Sequence, residues 1–198
     1  MIGAIILAGG KGHRFGGQKQ FIELDGIPLW QIVYNKVRNI VNEKNIVVVG
    51  IDIPGGDTRS LSVINGLRTL NTEVTKVLIL ESARPLVTVE QMKILLTDSY
   101  ESVTFVKPLV NTVIFRDGTY VERDKMYELL TPQCFDRNLL QKAYDNTKDF
   151  GLTDETRLMN DYYGIKPKFV LGSENLFKIT YPKDIHVIMQ IKNDIKEK

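Results

Sequence analysis

Met1-Ile-Gly-Ala-Ile-Ile-Leu-Ala-Gly-Gly-Lys-Gly-His-Arg-Phe-Gly-Gly-Gln-Lys-Gln20 opens the chain. A short apolar run ends in a glycine-rich loop that carries Lys11, Arg14 and Lys19. This order predicts a buried strand that delivers a backbone turn to a phosphate-rich ligand. Glycine lets the backbone approach closely and adopt positive φ, and the cations meet the phosphate charge. Gly10-Lys11 is followed by Gly12 rather than Ser or Thr, which excludes a Walker A loop. The dinucleotide fingerprint fails too, because no third glycine falls in register. A plain glycine turn with solvated cations is the bland alternative, and the density of glycines and cations weighs against it.

Outward from that loop, strand-like and helix-like runs alternate. Ala4–Leu7, Ile46–Val49 and Val77–Leu80 are short, branched and apolar, as in a parallel sheet covered on both faces. Leu29, Val33, Val37 and Ile40 recur at helical spacing, and Leu61, Ile64, Leu67 and Arg68 suggest a second helix. Val89–Thr97 offers a third, with Thr88 as its N-cap. Further on, Ser102–Pro108 reads as a strand, and Thr112–Phe115 and Thr119–Glu122 flank the hairpin signal Asp117-Gly118. Helices are expected near Arg137–Asn146 and Asp154–Tyr163, and last strands at Phe169–Leu171 and Phe177–Thr180. A final helix is expected from Pro182 through Ile191, with the charged tail Lys192 to Lys198 fraying. The reading is a single α/β domain over residues 1–198: a three-layer α/β/α sandwich on a mostly parallel, Rossmann-like sheet, with a β-hairpin arm projecting at about 109–130.

With 198 residues the chain is long enough for one real core. Lys and Arg number 26 against 24 Asp and Glu, which gives no reason to expect nucleic acid or a membrane surface as partner. Cys134 is the only cysteine, so an intrachain disulfide is excluded and a reducing cytoplasm is expected. The opening apolar run is too short for a membrane span and lacks a basic segment before it. His13 and His186 are the only histidines, which leaves no histidine–cysteine metal cluster.

Leu7-Ala-Gly-Gly-x-Gly-x-Arg-Phe15 with Gln18-Lys-Gln-Phe21 resembles the nucleotidyltransferase signature. Gly55-Gly-Asp-Thr-Arg-Ser-Leu-Ser-Val-Ile-Asn-Gly-Leu67, Ala83-Arg-Pro85, Leu130-Thr-Pro-Gln-Cys-Phe135, Thr153-Asp-Glu155 and Phe177-Lys-Ile-Thr-Tyr-Pro-Lys-Asp184 follow in order. The ordered set resembles the methylerythritol phosphate cytidylyltransferase family and its relatives that use ribitol 5-phosphate, across nearly the whole chain. The resemblance implies the nucleotide-diphospho-sugar transferase fold, with the arm serving dimerisation. It implies transfer of CMP from CTP to a small phosphorylated polyol with release of pyrophosphate, Mg²⁺ as cofactor, and a homodimer in the cytoplasm. The leading acceptor is 2-C-methyl-D-erythritol 4-phosphate, which would serve isoprenoid synthesis; ribitol 5-phosphate or another wall or capsule precursor is the alternative.

By resemblance, Arg14, Lys19 and Lys178 are the catalytic cations at the α-phosphate. Both reactants are anions, so their repulsion must be offset and their geometry held in line. Leu7, Ala8, Gly9, Gly10, Gly12, Gly55, Gly56, Asp57 and Ser62 resemble the nucleotide pocket. Glu81, Arg84, Arg123, Thr131 and Thr153 resemble the acceptor pocket, where the arginine fork suits a phosphate. The family's equivalent of Arg123 arrives from the neighbouring subunit, on the arm. Glu81 is also the candidate Mg²⁺ ligand, since that ion takes a carboxylate or two plus substrate oxygens. Blander readings stand beside these: Lys178 as a strand-end lysine, Ser62 as a helix N-terminal hydroxyl, Arg123 as one exposed charge among several, and Glu81 as a partner of Arg84.

Three departures fall mostly on the acceptor side. Leu80-Glu81 stands where the family has His-Asp, Asn111-Thr112 stands where it has Asp-Thr, and only Ile51–Pro54 separates Val49-Gly50 from Gly55-Gly56. Two other readings remain open: a guanylyl- or uridylyltransferase sharing only the opening motif, and a non-catalytic nucleotide-binding scaffold dimer.

Overall fold

The computed structural model describes residues 1–196. Its centre is a six-stranded sheet of β1 (Ile2–Leu7), β4 (Ile46–Val49), β5 (Lys76–Glu81), β6 (Ser102–Pro108), β7 (Tyr127–Asp136) and β8 (Lys168–Leu171) in the order β4-β1-β5-β7-β6-β8. A separate two-stranded hairpin, β2 (Glu23–Leu24) and β3 (Ile27–Pro28), precedes the first helix. The sheet is mostly parallel: β1 pairs in parallel with β4 and β5, and β6 with β8, while β7 runs antiparallel to both of its neighbours.

Alternation along the strands divides the core into two layers. Ala4, Ile6, Leu78, Leu80, Val103 and Phe105 pack under α1 (Leu29–Val37) and α3 (Val89–Thr97). On the opposite face, Ile5, Val77, Ile79 and Phe135 pack under α2 (Arg59–Thr69), α4 (Arg137–Asn146) and α5 (Glu155–Tyr163). Each of these side chains other than Ala4 contributes about 1.5–3 kcal/mol on leaving water. A third cluster, with Leu24, Leu29, Ile179 and Ile188, seats α6 (Asp184–Lys196) against the start of α1. This is the expected α/β/α sandwich. Local chemistry sets the helix starts: Thr88 and Gln91 form a reciprocal capping box on α3, and Asp136 and Asp154 accept backbone N–H groups at the heads of α4 and α5.

Several expectations need correction. Phe177–Thr180 is not a strand. The Ile179 N–H donates to Ala83 O at 2.9 Å beyond the end of β5, and its side chain is buried in the third cluster, away from any strand edge. Pro182 heads a tight turn, with Ile185 N–H donating to its carbonyl, and α6 itself starts at Asp184. That helix continues through Ile191 to Lys196 instead of fraying at Lys192; residues 197 and 198 of the expected tail lie outside the described residues. The arm turns at Asp117-Gly118, but neither flank forms a regular strand. Ile114 and Tyr120 make one isolated bridge, because a two-stranded ribbon exposed on both faces has nothing to pack on. The connection spans residues 109–126, since β7 already begins at Tyr127.

β7 has no counterpart in the sequence reading, and it carries Pro132, a residue unfavourable in a strand interior. The ladder with β6 passes from Thr104↔Gln133 to Phe105↔Leu130, so Thr131 and Pro132 are extra residues in a bulge. The bulge absorbs the missing N–H and turns Thr131 out of the ladder.

Two outcomes test this packing. Gly50 has φ +100°, and an added Cβ would lie 2.4 Å from Gly9 Cα. Gly50→Ala will lower the unfolding free energy, read from urea melts, by more than the about 1–3 kcal/mol that the backbone conformation alone costs. Cys134 is buried in β7, and burial pushes its thiol up to about 12. It will resist iodoacetamide at about pH 8 in the native protein and react once the chain is unfolded.

Candidate active site

β1 leads over one face of the sheet through α1 to β4, and β4 returns over the other face through α2 to β5. Crossovers that diverge in this way leave a crevice beyond the carboxyl ends of the strands. A cavity of about 370 Å³ opens there. Leu7, Ala8, Gly9 and Gly10 form one wall, Gly56, Asp57 and Ser62 another, and Lys19, Glu81 and Lys178 its charged end.

The walls are held by backbone. Gly9 and Gly55 pack backbone to backbone, and Ala8 N–H donates to Val49 O at 2.8 Å. In the loop beyond, Gly12 O accepts from Phe15 and Gly16 N–H, and Gly12, at a φ of +65°, leaves no room for a side chain, because an added Cβ would run into Gly17 O. Gly12 and Gly55 thus shape the walls without lining the cavity. Ser62 Oγ accepts from Gly56 N–H at 3.0 Å and donates to Thr58 O at 3.1 Å. It is a helix N-terminal hydroxyl and a cavity residue at once.

Lys19 Nζ donates to Ile179 O at 2.8 Å, which ties the opening loop to the segment before α6. Burial and then the nearby Lys178 hold its pKa below the usual lysine range, and exposed Arg14 adds to the repulsion. Arg14 itself lies outside the cavity lining, at the loop surface. Glu81 Oε2 forms an ion pair with Lys178 Nζ, and Arg59 Nε stands 3.8 Å from Glu81 Oε1. Burial alone would raise the Glu81 carboxyl, but Lys178, then Arg84 and Arg59, outweigh it and hold its pKa below the ordinary value. Its ion-pair partner is Lys178, with Arg59 near, and not the Arg84 of the blander reading.

Arg84 is buried. Its Nε donates to Thr131 Oγ1 at 2.9 Å and its Nη1 to Leu176 O. It faces a second cavity, of about 940 Å³, whose lining includes Lys107, Glu128, Leu176 and Lys178. Lys178 therefore borders both cavities. Arg123 and Thr153 join neither: Arg123 Nη1 donates to Val110 O within the arm, and Thr153 is exposed ahead of α5. Arg59 was missed as a site residue. It lies inside the quoted Gly55–Leu67 block, yet nothing in that spacing told that its side chain turns into the cavity. His13, Gln20, Thr58 and Ser82 also line it. Among the described residues, no three metal-ligating side chains cluster.

The chain matches the family model described as IspD, 2-C-methyl-D-erythritol 4-phosphate cytidylyltransferase, over residues 31–191. It is 31% identical over 218 residues to the 2-C-methyl-D-erythritol 4-phosphate cytidylyltransferase of Thermotoga neapolitana, covering 96% of each chain. With the Aquifex aeolicus protein of that name it shares 32% over 211 residues, covering 96% of this chain and 97% of the other. Among solved structures, the bifunctional IspDF of Campylobacter jejuni superposes with a TM-score of 0.81 at 29% identity, over 93% of this chain and 53% of that one. The 4-diphosphocytidyl-2C-methyl-D-erythritol synthase of Anaerococcus prevotii gives 0.78 at 26% identity, over 94% and 93%.

Glu81→Gln leaves Lys178 and Arg59 facing an uncharged amide. The expected loss at neutral pH is about 2 kcal/mol, below the about 3–5 of a fully buried pair because Lys178 is 34% exposed. The folded carboxyl has a depressed pKa, so its contribution is full above the ordinary value of 4.5 and is lost as pH falls through the folded value. Urea melts of the two proteins will therefore converge at acid pH.

Proposed function

This chain belongs to the 2-C-methyl-D-erythritol 4-phosphate cytidylyltransferase (IspD) family, and on that premise we propose that its two cavities together transfer CMP from CTP to 2-C-methyl-D-erythritol 4-phosphate. The observation that carries the reading is the placement of Lys178. It comes from the far end of the chain and borders both the glycine-walled cavity and the one faced by Arg84. A cation there meets both anions at the point where they must touch.

In this reading CTP occupies the first cavity, its triphosphate along Gly9, Gly10 and Lys19 and its cytosine and ribose toward Gly56, Asp57 and Ser62. The acceptor phosphate lies by Arg84 and Thr131. One of its oxygens attacks the α-phosphorus of CTP, a new phosphorus–oxygen bond forms, and the bond to the β-phosphate breaks in line, releasing pyrophosphate. Lys19, Arg14 and Lys178 stabilise the charge that builds on the α-phosphate oxygens. The donor set suits Mg²⁺, because Glu81 offers one carboxylate beside the phosphates and Asp57 lines the same cavity. When bound, that ion neutralises triphosphate charge.

The arm is assigned to a homodimer. Arg123 cannot serve its own cavity from its present hydrogen bond to Val110 O, whereas the partner subunit's Arg123 could reach the acceptor phosphate. The exposed apolar side chains of the arm, with Val110 81% and Tyr120 75% exposed, are what such an exchange would cover. No described helix is long and apolar enough to cross a membrane. The reading places the enzyme in a reducing cytoplasm on the strength of its lone cysteine, Cys134.

Purified protein with CTP, Mg²⁺ and either 2-C-methyl-D-erythritol 4-phosphate or ribitol 5-phosphate tests the assignment. Pyrophosphate release is expected with the first acceptor, and Lys19→Met is expected to lower kcat by about 10²–10³. Release with ribitol 5-phosphate alone would move the substrate to that class. Release with neither would overturn the reading.

A further inference from the structure

Behind the cavity a line of buried polar groups runs from α4 to Lys178. Glu155, the first residue of α5, is wholly buried. Its Oε1 accepts from the Tyr144 hydroxyl at 2.8 Å, and both of its oxygens accept from Arg59 Nη1 at 2.5 Å. Arg59 is the first residue of α2, where a cation runs against the helix dipole, so it needs this carboxylate. Its Nε is buried, has no hydrogen-bond partner among the described residues, and points toward Glu81 across 3.8 Å. Glu81 in turn pairs with Lys178.

The charges on this line match in two pairs, Arg59 with Glu155 and Lys178 with Glu81. A buried guanidinium stripped of its carboxylate is costly, and the nearest other anion is Glu81. A movement of about 1 Å would bring Nε to hydrogen-bond distance. We propose that Glu155, which touches neither cavity, is a positioning residue: by holding Arg59 Nη1 it keeps the guanidinium off Glu81 and leaves that carboxylate to Lys178. Tyr144 fixes Glu155 for the task. The link to catalysis rests on the CMP-transfer reading; the link to Lys178 does not.

Glu155→Gln keeps the shape and removes the charge. In CTP turnover with the methylerythritol phosphate acceptor, kcat is expected to fall about tenfold to a hundredfold while KM for CTP stays within about threefold. A second readout needs no turnover. After ¹³C reductive methylation, the Lys178 signal, assigned by its loss in Lys178→Arg, is expected to shift toward a solvated lysine in Glu155→Gln. It is expected to return in Arg59→Met/Glu155→Gln, where no guanidinium competes for Glu81. Should Glu155→Gln not fold, Tyr144→Phe is expected to move the signal the same way by less.

An unchanged Lys178 signal in either folded single variant overturns the proposal. The same displacement in the double variant as in Glu155→Gln also overturns it, because the effect would not pass through Arg59. A wild type that turns over no CTP would instead remove the transfer reading and leave the Lys178 signal to decide the relay.

Discussion

The contact between the backbones of Gly9, Gly50 and Gly55 is the constraint on which the site depends. Loops leaving β1 and β4 must pass within van der Waals distance of each other for the cavity to have two walls. With any side chain at Gly50 the walls part, since its Cβ would overlap Gly9. The sheet supplies the frame, because β1 lies between two parallel neighbours and its carboxyl end is fixed in register with both. The closeness of the loops is what turns the open end of a parallel sheet into an enclosure.

Within that enclosure positive charge outnumbers negative. Lys19, Arg59 and Lys178 line it with Glu81 and Asp57, Arg84 approaches Glu81 from the second cavity, and Arg59 has a further carboxylate in Glu155. Such an excess suits a site that receives phosphates, because the ligand completes the balance that the protein leaves open. Burial, and then the repulsion of Lys178, depress the pKa of Lys19. The hydrogen bond from Lys19 to Ile179 O holds that cation in place against its neighbours.

Much of this was legible in sequence where one physical rule acted alone. The branched runs at β1, β4 and β5 had little polar alternation, so burial on both faces followed, and Thr88 marked the start of α3. The rules that competed hid the rest. A proline is unfavourable in a central strand, and the bulge at Thr131 and Pro132 is what lets β7 hold one. Phe177–Thr180 had the composition of a strand, yet its apolar residues serve the third core cluster instead of a ladder. At the site, the phosphate loop and Lys178 were recognisable from their motifs. Arg59 was not, because its role comes from a residue 96 positions away in sequence, Glu155.

Lys178 also sets an order of assembly. Synthesis runs from the amino end, so the phosphate loop, Asp57, Glu81 and Arg84 all leave the ribosome well before it. Lys19 reaches its carbonyl partner only when Ile179 has followed, and the third core cluster closes only with Ile188. A nascent chain can therefore complete the sheet through β8 while the charged end of its cavity still lacks Lys178. The site's charge balance is completed last, by a segment that packs with α6 in the third core cluster, and a chain cut short before that helix would keep most of the sandwich and the glycine walls while its charged end lost that support.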